Sequence, residues 1–170
     1  MEIVELDAAG VERHVDELAQ LLLDAHESNM ALGMAAPLTR DVAADAWRRL
    51  SGALLAAVDD DDVVVGAVNL APSTTPNGTH RAEVQKLAVR LDRRGGGIGA
   101  ALLDAAVERA RAMGLRLVWL TTHADTRSDS FYVRRGWTRM GVIPEYSQAP
   151  DGRYATNAFF YLQLAGTPTA

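Results

Sequence analysis

A turn with almost no side chains separates a strand-like run from a long amphipathic helix in the middle of this chain. No other feature constrains the fold as much. The turn is Arg93-Arg94-Gly95-Gly96-Gly97-Ile98-Gly99. Val84 to Val89 enters it, and Ile98 to Met113 leaves it with apolar residues at helical spacing and Gly114 as the expected stop. The glycines let a ligand approach the backbone closely. The first turn of the helix adds orphan N–H groups and the positive end of the helix dipole. Together these make a cradle for a phosphate or pyrophosphate, flanked by two arginines.

The bulk properties limit what such a cradle can serve. At 170 residues the chain fits one domain, 1–170, with a core that needs no staples. It has no cysteine, which removes disulfides, thiolate metal sites and a cysteine nucleophile. A net charge of -5 argues against nucleic acid as a partner. No apolar run is long enough to span a bilayer, and Met1-Glu2-Ile3-Val4-Glu5 lacks the pattern of a secretory signal. The expectation is a cytoplasmic protein, monomer or homodimer, that does not act at a membrane.

Read in order, Ile3 and Val4 suggest a first strand stopped by Asp7-Ala8-Ala9-Gly10, and helical spacing begins at Val11. Met30 to Pro37 reads as an apolar connector or one wall of a pocket. Thr39 caps a second helix that Gly52 ends. A hairpin follows, turning at Asp59-Asp60-Asp61-Asp62, which lacks the spacing of a cation loop and reads as a solvated turn. In the strand His80 to Val89, strict alternation puts Ala82, Val84, Lys86 and Ala88 on one face and Glu83, Gln85, Leu87 and Val89 on the other. Leu115 to Thr122 reads as a buried strand. A helix runs through Phe131 and Tyr132 to Gly136, and Trp137 to Val142 is a strand followed by a turn at Ile143-Pro144-Glu145-Tyr146. Ala155 to Leu164 is the last strand and 166–170 a tail.

Gly95-x-Gly97-x-x-Ala100 satisfies a loose dinucleotide pattern. The charged residues Arg90, Asp92, Arg93 and Arg94 separate it from its strand, and a hairpin precedes it, which counts against that reading. A nucleoside triphosphate P-loop pattern is absent. The pattern Gln/Arg-x-x-Gly-x-Gly/Ala is complete as Arg94-Gly95-Gly96-Gly97-Ile98-Gly99, and Ser130-Phe131-Tyr132-Val133-Arg134-Arg135-Gly136-Trp137 fits small-x-Phe-Tyr-x-x-x-Gly-aromatic. With these motifs, and in element order over nearly all its length, the chain resembles the GCN5-related N-acetyltransferases (GNAT). Ala82-Glu83-Val84-Gln85-Lys86-Leu87, Gly141-Val142-Ile143-Pro144-Glu145-Tyr146 and Pro150-Asp151-Gly152-Arg153 look closest to the tabtoxin-resistance-type enzymes.

The resemblance implies an α/β (α+β) fold. Its sheet would be mixed, mostly antiparallel and six- to seven-stranded, flanked by about four helices and splayed between the fourth and fifth strands. It implies transfer of an acetyl group from acetyl-CoA, without a metal, to a primary amine of a small molecule, peptide or amino-acid-like acceptor, by direct attack in a ternary complex. Backbone groups of Arg94, Gly95, Gly96, Gly97, Ile98, Gly99 and Ala100 would hold the pyrophosphate. Leu87, Ala88 and Val89 would pair with the pantetheine arm like an added strand, with an N–H near Val89 donating to the thioester oxygen. Tyr132 occupies the family's tyrosine position near the sulfur and is the expected acid for the leaving thiolate. Glu83 matches a glutamate implicated in catalysis in the tabtoxin-type enzymes and is the expected base; otherwise it is a rim glutamate paired with Arg81 or another cation. Those relatives carry Leu-Asp-Thr where this chain has Leu120-Thr121-Thr122. Thr121 cannot act as a base, and His123 is either a substitute or a loop residue. That departure keeps open a second class, a CoA-binding sensor without efficient catalysis.

Overall fold

The structure, a computed structural model, describes residues 1–164; the expected tail at 166–170 lies outside the described residues. In chain order the elements are β1 (Glu2–Leu6), α1 (Ala8–Arg13), α2 (Val15–Glu27), α3 (Arg40–Arg48), β2 (Ala53–Val58), β3 (Val64–Pro72), β4 (Arg81–Val89), a 3-10 turn (Leu91–Arg93), α4 (Ile98–Ala112), β5 (Leu117–His123), α5 (Arg127–Arg134), β6 (Thr138–Gln148) and β7 (Tyr154–Gln163). One seven-stranded sheet holds them in the order β1-β2-β3-β4-β5-β7-β6. Every neighbouring pair is antiparallel except β4 and β5.

Each face of the sheet has its own core. On one, Leu102, Leu103, Ala106 and Ala110 of α4 pack with Val65, Leu70, Val84, Val118, Leu120, Tyr132, Trp137 and Phe160. Gly66 lets α4 come this close, since a Cβ there would stand 2.9 Å from Leu102. On the other face, Leu18, Leu21, Leu22, Ala43 and Trp47 of α2 and α3 pack on Leu54, Ala56, Ala67 and Ala88. Trp47 donates its indole N–H to the Leu18 carbonyl at 2.6 Å, which joins the two helices inside this layer.

The layers are unequal in width. The α2–α3 layer reaches only to β4, and Trp119, Phe159 and Tyr161 on the same face of β5 and β7 stay half-buried. The expected buried strand Leu115–Thr122 is therefore buried on one face alone, at Val118 and Leu120. This bare face of β4, β5 and β7 is where the chain has room for a second ligand.

Four further expectations change. β1 stops at Leu6 as expected, but Asp7-Ala8-Ala9-Gly10 also starts a helix ahead of Val11, because the Asp7 side chain accepts from the Gly10 N–H at 2.7 Å as an N-cap. His14 then divides α1 from α2. Residues 143–146 form an irregularity inside β6, with Glu145 at φ 52°, instead of ending the strand in a turn. In β4 the alternation breaks at Lys86, which has φ 51° and sits where the β3–β4 register slips. After this bulge Leu87 and Val89 pack with the α4 core and Ala88 with the α2–α3 core, so Glu83 does not share a face with Leu87 and Val89.

Candidate active site

The glycine turn takes the conformation that its sequence requires. Gly95 and Gly97 both have φ 85°, and Gly97 is the N-cap of α4. A Cβ at either would meet nothing within 4 Å, so the space in front of the turn is open. Among the described residues, the N–H groups of Gly97, Ile98, Gly99 and Ala100 have no hydrogen-bond partner. Successive donors converging at the positive end of a fifteen-residue helix suit a pyrophosphate.

The arginines beside the turn do something different. The Arg94 guanidinium folds back from the cradle, donating to the carbonyls of Val89 (3.1 Å) and Asp24 (3.2 Å) and to the Ser28 hydroxyl (2.6 Å). Asp24 in turn accepts from the Leu91 N–H at 2.8 Å through its carboxylate. The last turn of α2 is thus clasped to the loop between β4 and α4. Arg93 pairs with Asp59 of the acidic turn, at 3.5 Å. The Arg93 N–H is taken by the Arg90 carbonyl at 3.0 Å, so of these two arginines only Arg94 has a backbone N–H left to face the cradle.

β4 and β5 pair only at Arg81–Glu83 with Leu117–Trp119. Beyond that point β4 stays with β3 and β5 with β7, so the sheet splays. Leu87, Ala88 and Val89 therefore have no β5 partner along one side, as a strand must if an extended pantetheine is to pair with it. Tyr132 sits in the core on the α4 side of the sheet, 8% exposed, against Phe131, Trp137 and Phe160. Its hydroxyl makes no hydrogen bond among the described residues. Burial pushes its pKa above the usual 10.0, so the phenol keeps its proton through neutral and mildly alkaline pH.

Glu83 lies on the opposite, bare face. It stands across from Trp119 at the last paired position before the splay and lines a cavity of about 720 Å³ with Gln85, Trp119, Met140 and Tyr161. It makes no ion pair with Arg81 among the described residues; instead its carboxylate accepts from the Gln85 amide at 2.7 Å. Tyr132 and Glu83 thus lie on opposite faces of the sheet, Glu83 at the last paired position before the splay.

Thr121 sits at the end of a hydrogen-bond chain. Asn157 donates to its hydroxyl at 2.9 Å, Ser147 donates to Asn157 Oδ1 at 2.8 Å, and His123 Nε2 is 3.4 Å from Ser147. The Thr121 hydroxyl accepts this one bond and keeps its hydrogen and a second lone pair. Sequence reasoning missed three features of this face. Lys86 places its ammonium 2.8 Å from the Leu32 carbonyl and 3.4 Å from Met34 Sδ. The buried Asn69 amide has an oxygen with no partner among the described residues. And Asn29 exchanges two hydrogen bonds with Asp151, both 3.3 Å, tying the loop after α2 to the β6–β7 loop. Met30 to Pro37 folds over the α2–α3 core as a connector, with Leu32 and Met34 packed against it. Among the described residues no group of three or more His, Asp or Glu residues is placed to hold a metal ion.

Comparison with known proteins bears on the same geometry. Residues 15–137 match the acetyltransferase (GNAT) family. An L-methionine sulfoximine/L-methionine sulfone acetyltransferase of Pseudomonas paraeruginosa is 32% identical over 127 residues, 74% of this chain and 73% of that protein. Among solved structures, a phosphinothricin acetyltransferase from Sinorhizobium meliloti in complex with AcCoA superimposes with a TM-score of 0.78 at 21% identity, covering 99% of this chain and 92% of that one. A ribosomal-protein-alanine N-acetyltransferase from Brucella melitensis has a TM-score of 0.79 at 22% identity, covering 96% and 100%. At these identities the structural likeness establishes the fold, and these neighbours are named for unlike acceptors.

Proposed function

The chain belongs to the acetyltransferase (GNAT) family, and from that premise we propose the acceptor and the division of labour in its site. It is an acetyl-CoA-dependent N-acetyltransferase. We assign it an amino-acid-like small molecule as acceptor, one domain over 1–170 and a place in the cytoplasm. No helix among the described residues is long and apolar enough to cross a membrane. The observation that carries the reading is the splay between β4 and β5, with an open cradle of N–H groups at its mouth and a bare, polar-lined face beside it.

In this reading Arg94 to Ala100 hold the pyrophosphate by their backbone, and Leu87, Ala88 and Val89 pair with the pantetheine. The thioester then lies in the gap. The amine enters from the bare face, loses its proton to Glu83 directly or through one water, and attacks the acetyl carbon within a ternary complex. The carbonyl oxygen becomes anionic and is met by a backbone N–H near Val89. The intermediate collapses, the carbon–sulfur bond breaks, and Tyr132 gives its proton to the departing thiolate. The proton that the attacked nitrogen sheds on becoming an amide passes through solvent to restore the Tyr132 phenol. The relative's acceptor, named as L-methionine sulfoximine or sulfone, supports an amino acid over a protein N-terminus.

The test is thiol release from acetyl-CoA against a panel of amines. Amino acids and related small amines should stimulate release one-for-one with acetylated product. Glu83→Gln should lower kcat by about 100-fold with acetyl-CoA affinity kept. Binding of acetyl-CoA with no amine-dependent release would leave a sensor, and an unchanged Glu83→Gln rate would remove that residue from the chemistry.

A further inference from the structure

Lys86 is a cation on the acceptor side of the sheet that makes no ion pair among the described residues. In a regular strand, residues three apart face opposite ways. The bulge undoes this: with φ 51° Lys86 turns onto the face that Glu83 and Gln85 occupy. A non-glycine residue in this region of backbone space is uncommon. The ammonium is tucked beneath residues 32–34, where its contacts are the Leu32 carbonyl and Met34 sulfur, and a Cβ on Gly33 would be 3.7 Å from it. Both contacts are uncharged, and no salt bridge to Lys86 occurs among the described residues. An ammonium has three donors, so one remains. Burial lowers its pKa without a nearby carboxylate to offset that. On β3, opposite Gln85, the buried Asn69 oxygen is also unpartnered. The face is therefore polar and incomplete, with one carboxylate and one ammonium on the same strand.

We propose that Lys86 is the subsite for a carboxylate of the acceptor, so that the enzyme takes α-amino acids in preference to simple amines. The inference rests on the acetyl-transfer reading and deepens it. In an α-amino acid, one carbon links the amine to the carboxylate. Holding the carboxylate at Lys86 presents the amine beside the first residues that lack a β5 partner, within reach of Glu83 directly or through one water. The apolar lining from Trp119, Met140 and Tyr161 then receives the side chain.

The probes are neutral L-amino acids, their carboxamides and the matching decarboxylated amines, each with acetyl-CoA. Wild-type protein should favour the acids. Lys86→Met keeps the stem and removes the charge. It should lower kcat/KM for the acids by about 30-fold or more and for the amides and amines by less than about threefold. Lys86→Arg should restore part of the preference. The acetyl-CoA dissociation constant and unfolding midpoint, measured on the same variants, report on the fold. Equal losses for acids and amides would make Lys86 a tether for the 30–37 loop and overturn the subsite, as would a wild-type preference for the uncharged probes. Absence of thiol release with every amine would instead overturn the acetyl-transfer reading itself.

Discussion

Gly97→Val is expected to weaken acetyl-CoA binding by about 100-fold or more, the sum of backbone strain and direct exclusion of the ligand. Gly97 has φ 85°, a region that a β-branched residue resists, and its Cβ direction is open. The side chain would grow into the space in front of the free N–H groups of Gly97 to Ala100. Strain alone could mimic this effect by disturbing the start of α4. Gly114→Val supplies the control: Gly114 follows α4, has φ 72° and likewise has nothing within 4 Å of a built Cβ. Gly114→Val should lose stability while its folded fraction binds acetyl-CoA normally. Calorimetric titration of both variants separates the cases. Wild-type affinity in Gly97→Val would remove the pyrophosphate from this turn.

Tyr132→Phe should lower kcat by about 100- to 1,000-fold while acetyl-CoA binds as before. The substitution keeps the ring among Phe131, Trp137 and Phe160, and it removes a hydroxyl that makes no internal hydrogen bond among the described residues. Little stability should be lost, so a fall in rate would report on chemistry. The sign of the pKa shift fits the role: desolvation favours the neutral phenol, so a proton is available to a thiolate at pH 7 and well above. The alkaline limb of the rate should therefore not report ionisation of Tyr132 at its ordinary value. Turnover unchanged at saturating substrates would leave Tyr132 as a core residue.

How far the sequence revealed this site depended on whether a feature was local. The glycine turn was legible because positive φ and an open approach leave few residue types to choose from. The motif around Tyr132 was legible through its spacing to Gly136. Element order followed from periodicity, and the splay came with the family resemblance. What escaped were features created by one extra residue or by distant partners. A bulge leaves alternation looking regular, so Lys86 was placed with Val84 when the chain turns it towards Glu83. Arg94 read as a backbone contributor to the cradle, and nothing in the sequence shows where its guanidinium goes. Its spatial neighbours are the carbonyl of Asp24 and the hydroxyl of Ser28, and they hold its guanidinium away from the cradle. Thr121 read as a lost catalytic group. In the fold it ends a chain through Asn157 and Ser147 that orients its hydroxyl.

The arrangement as a whole stands on one idea: acetyl-CoA occupies the gap between β4 and β5, with the acid on one face and the acceptor on the other. A crystal structure of the protein with acetyl-CoA tests it most directly. The pyrophosphate oxygens should lie about 3 Å from the N–H groups of Gly97 to Ala100. The pantetheine should run beside Leu87 to Val89, with its sulfur next to the Tyr132 hydroxyl. A pyrophosphate bound away from this turn, or a pantetheine outside the splay, would contradict it.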